Sequence, residues 1–396
     1  MIPERPFRLL LNRRHGTPGV VVLPESGFRR ARAEITAWPG YAPTPLVPLP
    51  EVAAAARVAE VQWKDEGGRF GLGSFKALGG AYAVARLLVG ELARRGVANA
   101  VTTEELAEGA HRDAVRAITV TCATDGNHGR SVAWGAQRFG ARCVIFVHET
   151  VSQGRRDAIA KYGAEIRVVP GTYDNAVREA ARIAEAENWF VVSDTSYEGY
   201  TEIPRDVMQG YRLMAEEAAE QMAPAAGDQP GRAPTHAFIQ AGVGGVAAAV
   251  AIQLRASFGP DVKVVVVEPE KAACLLASAE AGEAVPVPGE LDTLMAGLAC
   301  GEPSLLAWQE LERSAYAFIA VPDASAVDGM RLLARRTPKL VAGESATAGL
   351  AALLLAAAEP MSRAMLGLDA QSRVLLFGTE GATDPDLYAR LLDQPD

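Results

Sequence analysis

Short runs of apolar and β-branched residues alternate with helix-period stretches along this chain from about residue 117 onward. Ile118–Cys122 reads as a strand, His128–Phe139 as a helix and Arg142–Val147 as the next strand. The pattern continues through a helix at 153–162, a strand at Glu165–Val169 and a helix at Asn175–Glu187. Phe190–Ser193 reads as another strand and Pro204–Gln221 as a long amphipathic helix. Such alternation points to parallel strands joined by crossover helices, with helices covering both faces of a sheet. Met222–Pro234 is rich in Ala, Gly and Pro and has little apolar period, so it reads as a linker. The alternation then resumes with a strand at His236–Gln240, a helix at Gly245–Phe258 and a strand at Val262–Val267. Phe318–Val321 and Val374–Phe377 read as later strands of the same sheet. The expectation is an α/β protein of two units joined by crossovers.

Composition narrows the function classes. A chain of 396 residues allows two or three domains, or one large split one. With 49% hydrophobic and 22% charged residues it is not a disordered chain. A net charge of −9 disfavours a general nucleic-acid partner and leaves a small zwitterionic substrate compatible. The longest apolar stretch, Ala348–Ala358, is short of the roughly 20 residues that cross a membrane. Met1–Gly16 has no clean apolar core of the kind a signal peptide carries. Cys122, Cys143, Cys274 and Cys300 form no C-x-x-C pair, so no metal site is expected and a reducing compartment fits. These readings together point to a cytoplasmic protein with no membrane partner.

Four segments carry chemistry. In Ser74-Phe75-Lys76-Ala77-Leu78-Gly79-Gly80 a lysine stands in an apolar setting where a helix pattern begins. Desolvation and the positive end of a helix dipole both favour its neutral, nucleophilic amine. Taken alone, such a lysine is more often one that snorkels to the surface. Thr124-Asp125-Gly126-Asn127-His128-Gly129 follows a strand directly, and a turn of this kind presents backbone N–H groups to an anion. The plainer reading of an Asp-Gly turn is a helix cap. Gly242-Val243-Gly244-Gly245 lies between a strand and a helix, with Ala247 where a dinucleotide fingerprint needs its third glycine. A single phosphate monoester fits it better than a pyrophosphate, and tight helix–strand packing fits it about as well. Gly378-Thr379-Glu380-Gly381-Ala382-Thr383-Asp384 follows a strand at the end of the sheet where ligands bind in open α/β folds.

The lysine in Ser-Phe-Lys, then Gly-Asn-His-Gly, then a Gly-rich loop, in that order, resembles the pyridoxal-phosphate enzymes of fold type II, the tryptophan-synthase β family. Thr124-Asp125 stands where dehydratases of this family carry Ser-Ser or Ser-Ala. With the stretch Asp194–Pro204 and the ending Gly378–Gly381 with Thr383-Asp384, it makes the chain similar to the diaminopropionate ammonia-lyase branch. The resemblance implies two open, twisted, mostly parallel sheets flanked by helices, with the cofactor in the cleft between a large and a small domain. The large domain would comprise residues 1–85 and 206–396, the small one 86–205. Lys76 would carry pyridoxal 5'-phosphate covalently. Gly242, Val243, Gly244 and Gly245 would cradle its phosphate, and Asn127 would bond its 3-hydroxyl. Thr379, or the neighbouring Gly378, would meet the ring nitrogen, and Glu344 would lie near the ring. Thr124, Asp125, Gly126 and His128 would hold the substrate carboxylate. Lys76 and Asp125 would act as bases on opposite faces, so that both enantiomers react, and Asp194 would be a second carboxylate near the distal amine. The implied assembly is a homodimer.

Two segments imitate other chemistry. His111-Arg112-Asp113 resembles a kinase catalytic triplet without the accompanying Gly-rich loop, so it reads as a surface helix. Gly343-Glu344-Ser345-Ala346-Thr347 misses a nucleophile elbow by its last residue. Cys274 and Cys300 are expected near the mouth of the site. A serine or threonine dehydratase, or a β-replacement enzyme, stays open as an alternative on the same fold, and a non-catalytic binding protein is a remoter one.

Overall fold

A computed structural model gives the fold and describes residues 2–124, 126–222 and 233–393. Eleven strands are present among these residues: β1 (Arg8–Leu11), β2 (Leu46–Pro48), β3 (Glu60–Asp65), β4 (Thr119–Ala123), β5 (Arg142–His148), β6 (Glu165–Val169), β7 (Phe190–Val191), β8 (His236–Gln240), β9 (Lys263–Pro269), β10 (Ala315–Val321) and β11 (Arg373–Gly378). The chain divides into two compact units. The first comprises Met1–Val22, Pro43–Gly68 and Met214–Asp396, and the second Leu23–Ala42 and Arg69–Leu213.

The first unit is built on a seven-stranded sheet in the order β1-β10-β9-β8-β11-β3-β2. Its five inner strands are parallel to one another, and β1 and β2 close the two edges antiparallel. The sequence shows why. All of β8 is buried, as is β9 after its first residue, so their Val, Ile and Phe side chains meet helices on both faces. The Ala348–Ala358 helix contains only Ala, Gly and Leu and is buried from Ala348 to Ala357. The most apolar stretch of the chain is therefore a core helix, in one cluster with Phe238, Val265, Ile319 and Leu376. No single helix among the described residues is long and apolar enough to cross a membrane.

The second unit carries a four-stranded parallel sheet in the order β6-β5-β4-β7. The helices Ala77–Arg94 and Asn127–Phe139 pack closely in it. A Cβ added at Gly135 would lie 2.7 Å from Ala81 Cα. Gly210, on the Glu202–Met222 helix, sits still closer to the first of these, since its added Cβ would lie 1.9 Å from Leu78 O. Both approaches admit only glycine, and together they fix the first turn of the helix that Lys76 begins.

The expected strands and helices fall within a few residues of the observed ones, and Glu165–Val169, His236–Gln240 and Gly245–Phe258 match at both ends. The strand expected at Phe190–Ser193 stops at Val191 for a physical reason. The Tyr200 hydroxyl donates to Val191 O (2.8 Å) and accepts from Ser193 N–H (3.0 Å), so a side chain replaces the next rung of the ladder. Of the linker read at Met222–Pro234, Met222 ends a helix, and residues 223–232 lie outside the described residues. His111, Arg112 and Asp113 are exposed around the start of a short helix, as a surface segment should be.

Candidate active site

Lys76 occupies the N-cap position of the Ala77–Arg94 helix. Its Nζ donates to Asp194 Oδ2 at 2.6 Å and lies 5.3 Å from the Phe75 ring centroid and 5.7 Å from that of Tyr211. Both side chains of the pair are 19% exposed, so the ion pair is largely withdrawn from water. Burial by itself pushes the Asp194 carboxyl up, but the Lys76 ammonium and His128 outweigh it and hold the group well below the usual carboxylate range. Sequence reasoning weighed only desolvation and the helix dipole at Lys76. The structure adds an ionised partner that arrives from a segment over a hundred residues away.

The turn after β4 is organised by Thr124, whose Oγ1 accepts from Gly126 N–H (3.0 Å) and Gly129 N–H (3.1 Å). That hydroxyl satisfies one of the otherwise unpaired amides at the start of the Asn127–Phe139 helix. Asn127 is the first residue of this helix. The His128 side chain turns inward, with Nε2 2.7 Å from Val192 O and Nδ1 3.7 Å from Asp194 Oδ2. Lys76, Asp194 and His128 thus stand together. Asp125, expected in this turn as a base, lies outside the described residues.

In the first unit, β8 leads into Gly242–Gly245 and then the Gly245–Phe258 helix. An added Cβ at Gly242 would lie 2.8 Å from Cys300 Sγ and 3.2 Å from Leu298 Cα. Gly244 holds φ +96°, a left-handed conformation that costs other residues energy. The 14-residue helix begins without a side-chain cap. Its first-turn N–H groups and positive dipole end make a donor set suited to a phosphate monoester. A bulkier loop would fill the cradle, so the residues present fit the phosphate of a pyridoxal cofactor.

The loop after β11 offers a second fit. Gln240 Nε2 donates to Thr379 Oγ1 (2.6 Å) and to Phe377 O (2.8 Å). With Gln240 as donor, the buried Thr379 hydroxyl keeps its own hydrogen to give to a neutral ring nitrogen. Glu344 is buried in the adjacent turn, which Gly343 N–H and Ser345 N–H tie to Glu380 O (3.1 Å) and Glu380 Oε1 (3.2 Å).

One buried acid here escaped the sequence reading. Glu268 is fully buried near the end of β9, and burial pushes its carboxyl up to about 8 although Leu275 and Leu276 N–H groups, each at 2.8 Å, favour the ionised form. The signal that could have found it is a charge standing in the run Val264-Val265-Val266-Val267-Glu268. Cys274 Sγ lies 3.7 Å from Gly242 O, next to the glycine loop, and all four cysteines are thiols. Among the described residues no group of three or more His, Cys, Asp or Glu is placed to hold a metal ion.

Comparison with known proteins gives the family. A family model described as pyridoxal-phosphate dependent enzyme matches residues 37–366. A diaminopropionate ammonia-lyase of Escherichia coli strain K12 is 40% identical over 361 residues, which cover 89% of this chain and 88% of that protein. Its Salmonella typhimurium counterpart is 38% identical over 364 residues, with 88% of each covered. A solved holo structure of diaminopropionate ammonia lyase from Escherichia coli matches with a TM-score of 0.89 at 37% identity, over 99% of this chain and 98% of that one. The chain therefore belongs to the pyridoxal-phosphate dependent enzymes of fold type II, in the diaminopropionate ammonia-lyase family.

Proposed function

We propose that this enzyme eliminates ammonia from 2,3-diaminopropionate, taking both enantiomers and yielding pyruvate and two molecules of ammonia. The observation that carries the reading is the Lys76–Asp194 pair. Asp194 is a largely buried carboxylate held in its ionised form against an amino group. Once Lys76 is committed to the cofactor, that carboxylate has the charge and setting to receive the distal ammonium of a diamino acid. A hydroxyl substrate offers it no counter-charge. The family membership and the like-named relatives support the same conclusion.

Pyridoxal phosphate, when bound, supplies an electron sink for the charge that develops at the substrate Cα. Lys76 would carry it, the Gly242–Gly245 backbone would receive its phosphate, Asn127 its 3-hydroxyl and Thr379 its ring nitrogen, while Glu344 would border the ring. Thr124 shapes the turn whose amides, from Gly126 to His128, take the substrate carboxylate. Lys76 would be the base for the Cα proton on one face, and Asp125 the base on the other. Asp194 orients the distal ammonium, which departs as neutral ammonia with the Cβ–N electron pair. A cytoplasmic homodimer completes the reading, and light scattering and cell fractionation test it.

The test is pyruvate release by cofactor-loaded enzyme from D- and L-2,3-diaminopropionate, with D-serine, L-serine and L-threonine in parallel. Turnover of both diaminopropionate isomers well above the hydroxy amino acids is expected. Faster turnover of L-serine or L-threonine would move the function to a dehydratase.

A further inference from the structure

Two nitrogen groups of the second unit face one carboxylate oxygen. Asp194 Oδ2 is 2.6 Å from Lys76 Nζ and 3.7 Å from His128 Nδ1. The other nitrogen of the imidazole settles which way it works. His128 Nε2 lies 2.7 Å from Val192 O, and a carbonyl only accepts, so Nε2 carries a hydrogen. In the neutral ring Nδ1 is then a bare acceptor. It is buried, has no hydrogen-bond partner, and faces a carboxylate oxygen that is an acceptor too. A proton on Nδ1 turns that opposition into attraction.

The surroundings hold the backbone that leads into Asp194 and keep the cluster electrically simple. The Tyr200 hydroxyl spans Val191 O and Ser193 N–H, and His128 itself holds Val192 O, so the segment that presents Asp194 is fixed from both sides. Among the described residues, the other titratable groups that face this cluster are Cys122 on β4, Tyr200 beside Asp194 and Tyr211 on the Glu202–Met222 helix. Burial pushes all three up, so they stay protonated and neutral.

We propose that Lys76, Asp194 and His128 form a proton relay, with His128 Nδ1 as the store for the proton that Lys76 must lose before its nitrogen can attack the cofactor carbonyl. The Nζ–H bond breaks and its electron pair stays on Nζ as the lone pair of the free amine. Asp194 accepts that proton on Oδ2 and passes it on as the imidazole closes the 3.7 Å to Nδ1, so it is a carboxylate before and after. The proton ends on Nδ1, and the total charge of the three groups does not change. His128 acts through Asp194 and is a positioning and proton-storing residue. The inference rests on the reading of Lys76 as the cofactor lysine.

The experiment follows loading of apoprotein with pyridoxal phosphate by stopped-flow absorbance across pH, for the wild type and for His128→Gln. Glutamine can still donate to Val192 O but cannot take a proton. Borohydride trapping with peptide mass analysis identifies the attached lysine in each protein. With Lys76 trapped, loading of H128Q at neutral pH is expected to be slower by about a hundredfold or more, the low end of what a positioned proton acceptor supplies, with the gap closing at alkaline pH where hydroxide takes the proton directly. Equal rates and pH profiles in the two proteins would overturn the relay. Trapping of the wild type at another lysine would instead overturn the assignment of Lys76 and the relay with it. A second readout needs no variant enzyme to function. In ¹⁵N-histidine-labelled apoprotein the neutral His128 ring, assigned by its loss in H128Q or H128N, is expected to carry its hydrogen on Nε2, and a ring protonated on Nδ1 instead refutes the relay.

Discussion

Two glycine substitutions around the helix that Lys76 begins are expected to move stability in opposite directions. In Gly210→Ala the new Cβ would lie 1.9 Å from Leu78 O and 2.7 Å from Leu78 C. That is about 1.4 Å short of the ~3.3 Å that a carbon keeps from a carbonyl oxygen. The obstacle is backbone, so a helix has to shift, and an overpacked contact of this kind costs ~3 kcal/mol at the upper end of the usual range. The better helix propensity of alanine returns ~1 kcal/mol. The net loss is ~2 kcal/mol, or a melting point lower by ~4–8 °C for a unit of this size. Gly90 lies on the same Ala77–Arg94 helix but is exposed, and an added Cβ there meets nothing within 4 Å. Gly90→Ala therefore keeps only the propensity gain, ~1 kcal/mol, and is expected to raise the melting point by ~2–4 °C. Both are read by circular dichroism at one fixed scan rate. A Gly210→Ala protein as stable as the wild type, or a Gly90→Ala protein less stable than it, would refute the packing argument. The shift in Gly210→Ala also displaces the turn that carries Lys76, so a fall in covalent cofactor attachment should accompany the loss of stability.

Four other outcomes follow from the site and the core. Asp194→Asn should lower kcat/KM for 2,3-diaminopropionate by about 30-fold or more, matching the ~2 kcal/mol or greater cost of breaking a buried charge-assisted pair, and should lower serine turnover less. Asp125→Asn should lose most turnover of one diaminopropionate enantiomer and keep most of the other, which separate assays of the two isomers will read; full activity on both would end the two-base idea. Gly242→Ala should raise the dissociation constant for pyridoxal phosphate, measured by fluorescence titration, because the methyl would stand 2.8 Å from Cys300 Sγ and 3.2 Å from the Leu298 backbone. Burial pulls the His236 imidazole down to about 4, below the ~6.5 of an unfolded chain. Its contribution to stability is thus whole above pH ~6.5 and is lost as pH falls toward 4, so His236→Gln should flatten the acid side of the melting-point profile.

The sequence announced the fold where apolar runs were long and bounded by glycine turns. β8 with its following helix is the clearest case, since five buried residues lead straight into Gly242–Gly245. Lys76, the Thr124–Gly129 turn and the glycine loop were legible for the same reason: each is a local motif whose function depends on backbone next to it. What could not be read was anything decided across sequence distance. The edge strands β1 and β2 are only four and three residues long and owe their existence to partners at 317–320 and 62–64. The pairing of Lys76 with Asp194 and the inward turn of His128 toward Val192 likewise join residues whose separation hides them. Tyr200 looked like part of a family signature, yet its hydroxyl is what ends β7.

The order of strands in the larger sheet has a consequence for how the protein is made. β11, the last strand along the chain, is inserted between β8 and β3, with Arg373 beside Glu60 and Val374 beside both Val61 and His236. While the ribosome is still short of residue 373, β3 and β2 have no sheet to join, and β8 exposes an unpaired edge. The second unit needs little beyond residue 213 and can collapse during synthesis, whereas the first must wait for β11 to emerge. A nascent or truncated chain that lacks β11 therefore holds two open edges within the first unit's sheet, the state in which edge-to-edge aggregation competes with folding. Chaperone demand should track the emergence of β11 more closely than overall stability.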